Sequence, residues 1–361
     1  MISSRARPRS PVHEALRWLG YGVVVALLVV APYLLSGQPR WITVLTLANF
    51  FAVFAMSWDI LSGYTGQLSF GHSFFIAAAG YTSALLNLYM GWPIWLTIPL
   101  GVVAAVATGL LVAIPALRLR GPYFALVTLV LPIVANKLVL IFSEFTGGEL
   151  GKYGLAPLSS APSFLAYQRA KYFYSLGLMV AVAAGLILIA RSKVGKIFEA
   201  IRESEEAVEA AGINTAKYKI LAFIISSFVA GLGGAFYVHY WENLIPSTVL
   251  SLTLSIELIV AAVVGGMGTI TGPIVGAYFL VAGEEWIKGL ARSSPSLAFL
   301  SKWDVMIFLV LLILLIFFAR RGLLPSLREL AKGLLPLPWP RPRTPGPGRP
   351  EPGGTGTGGR G

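Results

Sequence analysis

The stretch RSKVGKIFEAIRESEEAVEAAG, residues 191–212, interrupts a chain that is otherwise built from long apolar runs. It carries nine charged side chains and lies between the apolar runs 172–190 and 218–240. On both sides of it, from Trp18 to Ala319, one hydrophobic run follows another. A polar segment between apolar runs of this length is typical of a loop between membrane-spanning helices. The fold is therefore decided by the number and length of these runs.

The composition is that of a membrane protein. Hydrophobic residues make up 56% of the sequence and charged residues only 12%, whereas a soluble domain averages about 25% charged residues. The net charge is +12, which in a soluble protein would indicate nucleic-acid binding. Here the basic residues stand between and beyond the apolar runs, as in cytoplasmic loops. The sequence has no cysteine, so disulfides, thiol catalysis and cysteine metal sites are excluded.

The apolar runs predict the membrane spans, because a helix of about 20 apolar residues crosses the hydrocarbon core. They lie at 18–36, 41–61, 73–90, 94–114, 123–142, 172–190, 218–240, 252–265, 272–288 and 303–319. The eighth and ninth are short and meet at the glycine-rich stretch 265–273, so they are either two tilted helices or a re-entrant pair. The sequence thus predicts an all-α fold, a polytopic integral membrane bundle of about ten helices.

The basic residues indicate the orientation. With ten spans, the following fall on one side: Arg5, Arg7, Arg9, Arg17, Arg118, Arg120, Arg191, Lys193, Lys196, Arg202, Arg320 and Arg321. By the positive-inside rule this side is cytoplasmic, and it holds both termini. The chain is then divided into a basic N-terminal segment, 1–17, a transmembrane domain, 18–322, with a cytoplasmic loop at 191–217, and a Pro/Gly-rich tail, 323–361, predicted to be disordered in the cytoplasm.

Several chemistries lack the residues that they require. The sequence has no Walker A motif, so we expect it not to hold ATP phosphates itself. No G-x-S-x-G motif accompanies His72, which argues against an intramembrane hydrolase. Ion-coupled carriers place carboxylates in the membrane, and here the candidates are Asp59 and Glu257. We expect no catalytic residue and no metal site, and an ion-coupled carrier is kept as an alternative.

Two glycine-rich segments interrupt the apolar runs. Irregular backbone at membrane depth requires surrounding protein or a water-filled cavity. The first segment is either a tight interhelical turn or a pore-lining gate, and its candidates are Gly66, Gln67, Ser69, Gly71 and His72. The second segment favours close helix packing, with a gate as the alternative, and its candidates are Gly265, Gly266 and Gly268. Glu257 precedes it and is predicted to be an interior structural or gate residue, with substrate contact as the alternative.

The loop 195–212 is predicted to form one amphipathic helix. One stripe at spacings of three and four comprises Ile197, Ile201, Ser204, Val208 and Ala211. Gly212 is predicted to end the helix as a C-cap. Such a helix either seats in a groove of a peripheral protein or is a solvated linker. The residues proposed to meet a soluble partner are Glu199, Arg202, Glu203, Glu206, Glu209, Ala210, Ala211 and Gly212.

The order of these motifs resembles a known family. The matching segments are GYTGQLSFGH at 63–72, FTGG at 145–148, AIRESEEAVEAAGIN at 200–214, SIEL at 255–258 and GGMGT at 265–269. Together they are similar to the LivM-type permeases of branched-chain amino acid ABC importers. The resemblance extends from about residue 40 to residue 325.

The resemblance implies a permease subunit of an ATP-driven importer in the inner or plasma membrane of a bacterium or an archaeon. Its implied partners are a homologous second permease subunit, two ATP-binding subunits and an extracytoplasmic solute-binding protein. ATP and Mg would be bound by the ATP-binding subunits, and this chain would bind no cofactor and no nucleic acid. Closure of the ATPase dimer would push on the loop helix 195–212. Branched-chain amino acids are the implied cargo, and urea or short amides are the alternative.

Overall fold

Helices make up most of the part of the chain that the structure describes. The computed structural model describes residues 11–116 and 122–293. The helices in chain order are α1 Pro11–Leu34, α2 Pro39–Trp58, α3 His72–Met90, α4 Ile94–Ala116, α5 Pro122–Ile141, α6 Ser143–Thr146, α7 Phe164–Arg191, α8 Lys193–Glu203, α9 Glu205–Ala210, α10 Thr215–Trp241, α11 Pro246–Val249, α12 Leu252–Gly265 and α13 Thr271–Ser293. A π-helical turn, Asp59–Gly63, continues α2, and a 3-10 turn spans Gly148–Leu150. The prediction of a mostly helical bundle is confirmed for the described residues.

Each predicted span from 18–36 to 272–288 coincides with a helix. Seven helical segments are long and apolar enough to cross a membrane: Pro39–Gly63, His72–Met90, Ile94–Pro115, Tyr123–Ile141, Phe164–Arg191, Thr215–Trp241 and Pro246–Gly265. The apolar part of α1 found among the described residues, Gly22–Leu34, is shorter. Seven such segments in one chain make it a multi-pass membrane protein.

α13 differs from these segments because its second half carries Glu284, Glu285 and Lys288. The remaining predicted span, 303–319, lies outside the described residues. The same holds for the predicted tail, 323–361, and for the first ten residues of the N-terminal segment.

α2 lies at the centre of the bundle, where it contacts α7, α10, α12 and α13. The rings of Phe50 and Phe54 pack against Tyr237 of α10, with ring centroids 5.5 and 5.8 Å apart. Trp58 is fully buried and donates its indole N–H to the carbonyl oxygen of Ser69 at 2.7 Å. Lipid tails are as apolar as leucine, so close packing and hydrogen bonds of this kind hold transmembrane helices together.

Small residues bring α10 close to its neighbours. A Cβ atom built at Gly234 would overlap the carbonyl oxygen of Ile76 on α3, and one built at Gly233 would lie 2.8 Å from the ring of Phe54. The backbones of α10 and α3 are therefore nearly in contact. This closeness positions the polar end of α3 beside α2 and α10, where the first glycine-rich segment lies.

A short ribbon closes the end of the bundle that lies opposite the loop 191–217. Strands β1 (Lys152–Tyr153) and β2 (Asn243–Leu244) pair antiparallel, with Lys152 opposite Leu244. Gly154 donates its backbone N–H to the carbonyl oxygen of Glu242 at 3.2 Å. The ribbon attaches the segment 143–163 to the end of α10.

Candidate coupling site

The charged loop forms two short helices rather than the single helix predicted for 195–212. α8 ends at Glu203, and Ser204 has an extended backbone with φ −161° and ψ 102°. The Ser204 hydroxyl accepts a hydrogen bond from the N–H of Ala207 at 3.3 Å and thereby caps α9. Serine followed by acidic residues is a helix start signal, so the sequence contained the evidence for this break. The prediction of one continuous helix is wrong.

The break changes which side chains are buried. Ile201 and Val208 of the predicted stripe are buried, whereas Ser204 and Ala211 are exposed. Phe198 lies outside the predicted stripe and is completely buried. Helical spacing of three and four residues does not continue across a helix break, because the second helix has its own axis direction. The predicted stripe is therefore correct in part only.

The end of α9 follows the prediction. Gly212 has φ +82°, and its N–H donates to the carbonyl oxygen of Glu209 at 2.9 Å. The N–H of Ile213 donates to the carbonyl oxygen of Val208 at 3.2 Å. These two bonds form a Schellman motif, in which glycine favours the left-handed position. The predicted C-cap role of Gly212 is confirmed.

α9 is fixed to α10 by its acidic side chains. The hydroxyl of Thr215 donates to Glu209 at 2.7 Å and to Glu205 at 3.2 Å. Glu205 also forms an ion pair with Lys219 of α10. Glu209, predicted to meet a partner, is thus exposed but already bonded within the chain. The predicted contact residues all lie on the exposed surface of the loop: Glu199, Arg202, Glu203, Glu206, Glu209, Ala210, Ala211 and Gly212.

Arg202 joins the loop to the membrane bundle. Its Nη1 donates a hydrogen bond to the carbonyl oxygen of Gly63 at 2.6 Å. A Cβ atom built at Gly66 would lie 3.2 Å from Arg202 Cγ, and one built at Gly268 would lie 2.6 Å from its Nη1. The Arg202 side chain therefore runs between the first and the second glycine-rich segments. Nothing in the local sequence indicated this contact, because its partners are distant in the chain.

The Asp59 carboxylate holds the second glycine-rich segment from the other side. It is completely buried. Its Oδ1 accepts the N–H of Gly268 at 2.6 Å and its Oδ2 accepts the N–H of Ile270 at 3.1 Å. The charge of Arg202 also acts on this carboxylate. Arg202, Asp59, Gly63 and the turn 266–270, here called the Arg202 junction, thus connect α8, the end of α2, and the turn between α12 and α13.

A cavity of about 850 Å³ opens beside this junction. It lies between the segment 65–68, the residues 124–126 of α5, and the two loop helices. Its wall carries both signs of charge, with Arg202 and Lys219 facing Glu206 and the other acidic residues of α9. A cavity of this size and mixed charge is large enough for a polar side chain or a small zwitterion.

The first glycine-rich segment divides into two parts. Gly66 and Gln67 line the cavity, and Gln67 Oε1 has no hydrogen-bond partner among the described residues. Ser69 and His72 are buried, and His72 Nε2 lies 2.8 Å from the hydroxyl of Ser226 on α10.

Gly71 is also buried, because a Cβ atom there would lie 2.6 Å from the carbonyl oxygen of Thr128 on α5. The interpretation as a tight turn therefore fits Ser69, Gly71 and His72. A cavity-lining role fits only Gly66 and Gln67.

The second glycine-rich segment packs α12 against α13. A Cβ atom built at Gly265 would overlap the carbonyl oxygen of Gly272, so the two backbones touch. Gly266 and Gly268 have φ +122° and +75°, values that favour glycine. Close helix packing accounts for Gly265, and positive φ accounts for Gly266 and Gly268.

Glu257 lies on α12, two turns before this packing contact, and is half-buried. The charged residues that act on it are Glu284 and Lys288 of α13. Among the described residues, no group of three His, Asp or Glu side chains is arranged to hold a metal ion.

An ion pair that the sequence analysis missed lies at the opposite end of α7 from the loop. Lys171 is buried and donates to Glu242 at 2.8 Å and to the carbonyl oxygen of Tyr240 at 2.7 Å. Its ammonium group lies 4.2 Å from the ring centroid of Tyr167. Burial opposes ionisation of Glu242, but the hydrogen bonds from Lys171 and Tyr167 hold its pKa below the ordinary value. A lysine at the edge of the apolar run 172–190 was the available signal.

Comparisons with known proteins agree with this architecture. A family model described as "Branched-chain amino acid transport system / permease component" matches residues 41–316. No solved structure gives a significant match.

Among curated relatives, the "High-affinity branched-chain amino acid transport system permease protein LivM" of Escherichia coli (strain K12) is 28% identical over 335 residues, covering 86% of this chain and 76% of the relative. The "Probable branched-chain amino acid transport permease protein LivM" of Methanocaldococcus jannaschii is 24% identical, covering 86% and 92%. A LivH permease of the same organism is 22% identical, covering 70% and 82%. The matched residues include α2 from residue 41 onward, the helices α3 to α13, the charged loop and both glycine-rich segments. The chain therefore belongs to the family of permease components of branched-chain amino acid transport systems.

Proposed function

We propose that this chain is the transmembrane permease subunit of an ATP-driven importer and forms part of the translocation path for branched-chain amino acids. Membership of the permease family supports a transport component rather than an enzyme. The observation that carries the proposal is the loop: two short helices, α8 and α9, present exposed charged and small residues and are fixed at both ends to long apolar helices. This arrangement suits a soluble partner that pushes on the bundle.

The membrane arrangement belongs to the same proposal. The chain spans an inner or plasma membrane of a bacterium or an archaeon about ten times, and both termini are cytoplasmic. The loop 191–217 faces the cytoplasm, residues 1–17 and 323–361 flank the domain, and 143–163 faces outward. Two ATP-binding subunits hold ATP and Mg, and a solute-binding protein delivers the substrate. Similarity to both LivM and LivH permeases supports pairing with a homologous second permease.

The site residues take different parts in this mechanism. Contact with the ATP-binding subunit is assigned to Glu199, Glu203, Glu206, Ala210, Ala211 and Gly212, which are exposed. Gly66 and Gln67 face the cavity at the cytoplasmic end of the path. Glu257 is assigned to the interior as a gate residue, because it is half-buried among charged neighbours of α13. This chain binds no cofactor in the proposal.

The rival function, an ion-coupled carrier, requires Asp59 and Glu257 to bind and release a cation. Asp59 is completely buried, and two backbone N–H groups occupy its carboxylate. A carboxylate bonded in this way stabilises a turn, and releasing it would leave buried N–H groups without partners. This observation favours the importer over the carrier.

Reconstitution in proteoliposomes separates the two functions. The chain is purified with its second permease and ATP-binding subunits, and leucine uptake is measured with the loaded binding protein. Uptake is expected only with ATP inside and all subunits present. The chain alone, supplied with a proton or sodium gradient, is expected to accumulate nothing, and accumulation there would establish the carrier. Competition by isoleucine, valine, urea and acetamide identifies the cargo.

The coupling role of the loop has its own test. Gly212 has positive φ, and a Cβ atom built there would meet no atom within 4 Å; Gly91, at the end of α3, shares both properties. Gly212→Trp and Gly91→Trp therefore carry a similar backbone strain without an internal clash. Only Gly212→Trp is expected to abolish ATP-driven uptake, with the bundle still folded. Full uptake by Gly212→Trp would make the loop a solvated linker.

Glu257→Gln tests the interior role. The charges of Glu284 and Lys288 act on the Glu257 carboxylate, so a residue with only a structural role would lose stability when glutamine removes its charge. A gate residue instead affects uptake more than ATP hydrolysis. We expect Glu257→Gln to assemble normally, to keep ATP hydrolysis and to lose uptake. Normal uptake with a lower melting temperature would indicate a structural role.

A further inference from the structure

The Arg202 junction has a role beyond holding the loop in place. We propose that Arg202 and Asp59 are positioning residues that transmit the movement of α8 to the turn 266–270 and so to α12 and α13. The inference rests on the proposed function, because it assumes that a partner moves α8. It assigns Arg202 to the connection inside the chain rather than to contact with that partner.

The geometry supports transmission because each part of the junction contacts the next directly. Arg202 Nη1 donates directly to Gly63 O at 2.6 Å, and a Cβ atom built at Gly66 would lie 3.2 Å from Arg202 Cγ. Gly63 in turn lies against Asp59, since a Cβ atom there would overlap Oδ1 and lie 2.8 Å from the N–H of Gly268. Arg202, Gly63, Asp59 and Gly268 are therefore connected by an unbroken series of direct contacts, although Arg202 also borders the cavity on its other side.

The bonds within the junction are of a strong kind. The guanidinium donates to a carbonyl oxygen, and a buried carboxylate accepts two backbone N–H groups. Hydrogen bonds to charged groups are stronger than those between neutral groups. The junction is expected to move as a unit instead of breaking when α8 is displaced.

The turn 266–270 is held by internal hydrogen bonds, so it is expected to move as one piece with the junction rather than to bend. Ile270 has φ +55°, which is unusual for a β-branched residue. The hydroxyl of Thr269 donates to Gly266 O at 2.7 Å and accepts the N–H of Gly272 at 2.9 Å. The turn is thus held internally on both sides, and α12 and α13 touch immediately beyond it. Movement of the turn therefore moves the ends of both helices.

Two reporters test the connection in the assembled importer. The chain has no cysteine, so a fluorophore can be attached to Lys196→Cys on α8 or to Met267→Cys in the turn, both of which are exposed. In the wild-type background, ATP is expected to change both signals. With Arg202→Ala, the Lys196 signal should still change on ATP addition, whereas the ATP-dependent change of the Met267 signal should be lost. An unchanged Met267 response in Arg202→Ala would overturn the proposal.

Uptake per ATP hydrolysed gives an independent readout. Arg202→Ala is expected to keep binding-protein-stimulated ATP hydrolysis and to lose uptake. Arg202→Lys should restore uptake in part, because lysine keeps the positive charge but lacks the planar set of donors of the guanidinium. Lys193→Ala removes an exposed positive charge at the start of the same helix and should behave as wild type. Equal loss of hydrolysis and uptake in Arg202→Ala would assign Arg202 to partner contact instead. If the wild-type complex itself shows no ATP-driven uptake, the proposed function is wrong. If only the Arg202 results differ from those expected, the proposed role of the junction is wrong.

Discussion

Gly276 leaves no room for a side chain where α13 crosses α12. A Cβ atom there would overlap the carbonyl oxygen of Ala261, whereas one at Gly289, on the same helix, would meet no atom within 4 Å. Overpacking of this kind costs about 1–3 kcal/mol, while glycine in an open helix position costs about 0.5–1 kcal/mol relative to alanine. Gly276→Ala should therefore lower the melting temperature in detergent, and Gly289→Ala should leave it unchanged or raise it. Similar melting of the two variants would contradict the observed helix crossing.

At the scale of single residues, the sequence predicted the role of a residue better than it predicted which other residues that residue contacts. The stretch containing Gly265, Gly266 and Gly268 was predicted to favour close helix packing, because small residues at such spacings let helices approach, and Gly265 lies at such a contact. The bonds from Asp59 to Gly268 and from Arg202 to Gly63 were not predicted, since they join residues 209 and 139 positions apart. Such contacts depend on how helices are arranged, and no local pattern encodes them.

Among the elements, the break between α8 and α9 depends on one hydroxyl. Loss of a serine N-cap typically costs about 1 kcal/mol, and here it would leave the N–H of Ala207 without its partner. We expect Ser204→Ala to speed hydrogen exchange at Ala207 several-fold, and Ser204→Asp, which keeps the cap, to leave it slow. Equal hydrogen exchange at Ala207 in the wild type, Ser204→Ala and Ser204→Asp would mean that the cap does not fix α9.

The ion pair at the end of α10 is expected to give the protein a pH-dependent stability. The pKa of Glu242 is lower in the folded chain than in the unfolded chain, where carboxyls titrate near 4.3. Its contribution is therefore complete above about pH 4.3 and is lost as the pH falls through the lower folded value. Glu242→Gln should melt slightly below wild type at pH 7, by the equivalent of about 0–1 kcal/mol for a partly exposed pair. The difference should disappear as the pH falls below the folded pKa of Glu242, and an exposed control, Glu144→Gln, should show no such difference.

Helix positions were predictable because the membrane imposes them. A backbone in hydrocarbon has to bond to itself, so apolar runs of sufficient length become helices. The loop was less predictable, because in water a capping serine competes with helix continuation and the hydrophobic stripe alone could not decide between one helix and two. The two-stranded ribbon could not be predicted, because two-residue strands have no periodicity.

For the whole molecule, the decisive prediction concerns which ends of the bundle share a side of the membrane. α7 runs from the ribbon end to the loop end in one 28-residue helix, about 42 Å at 1.5 Å per residue, so the loop and the segment 143–163 lie on opposite sides if α7 spans. Ser204 and Ser160 are both exposed, and the absence of native cysteine makes each a background-free labelling position. In intact right-side-out vesicles, Ser160→Cys should react with an impermeant maleimide and Ser204→Cys only after permeabilisation. Reaction of Ser160→Cys and Ser204→Cys alike from outside would refute the arrangement of α7 as a span. Reaction of only Ser204→Cys from outside would refute the orientation assigned from the arginines, but not the helix bundle itself.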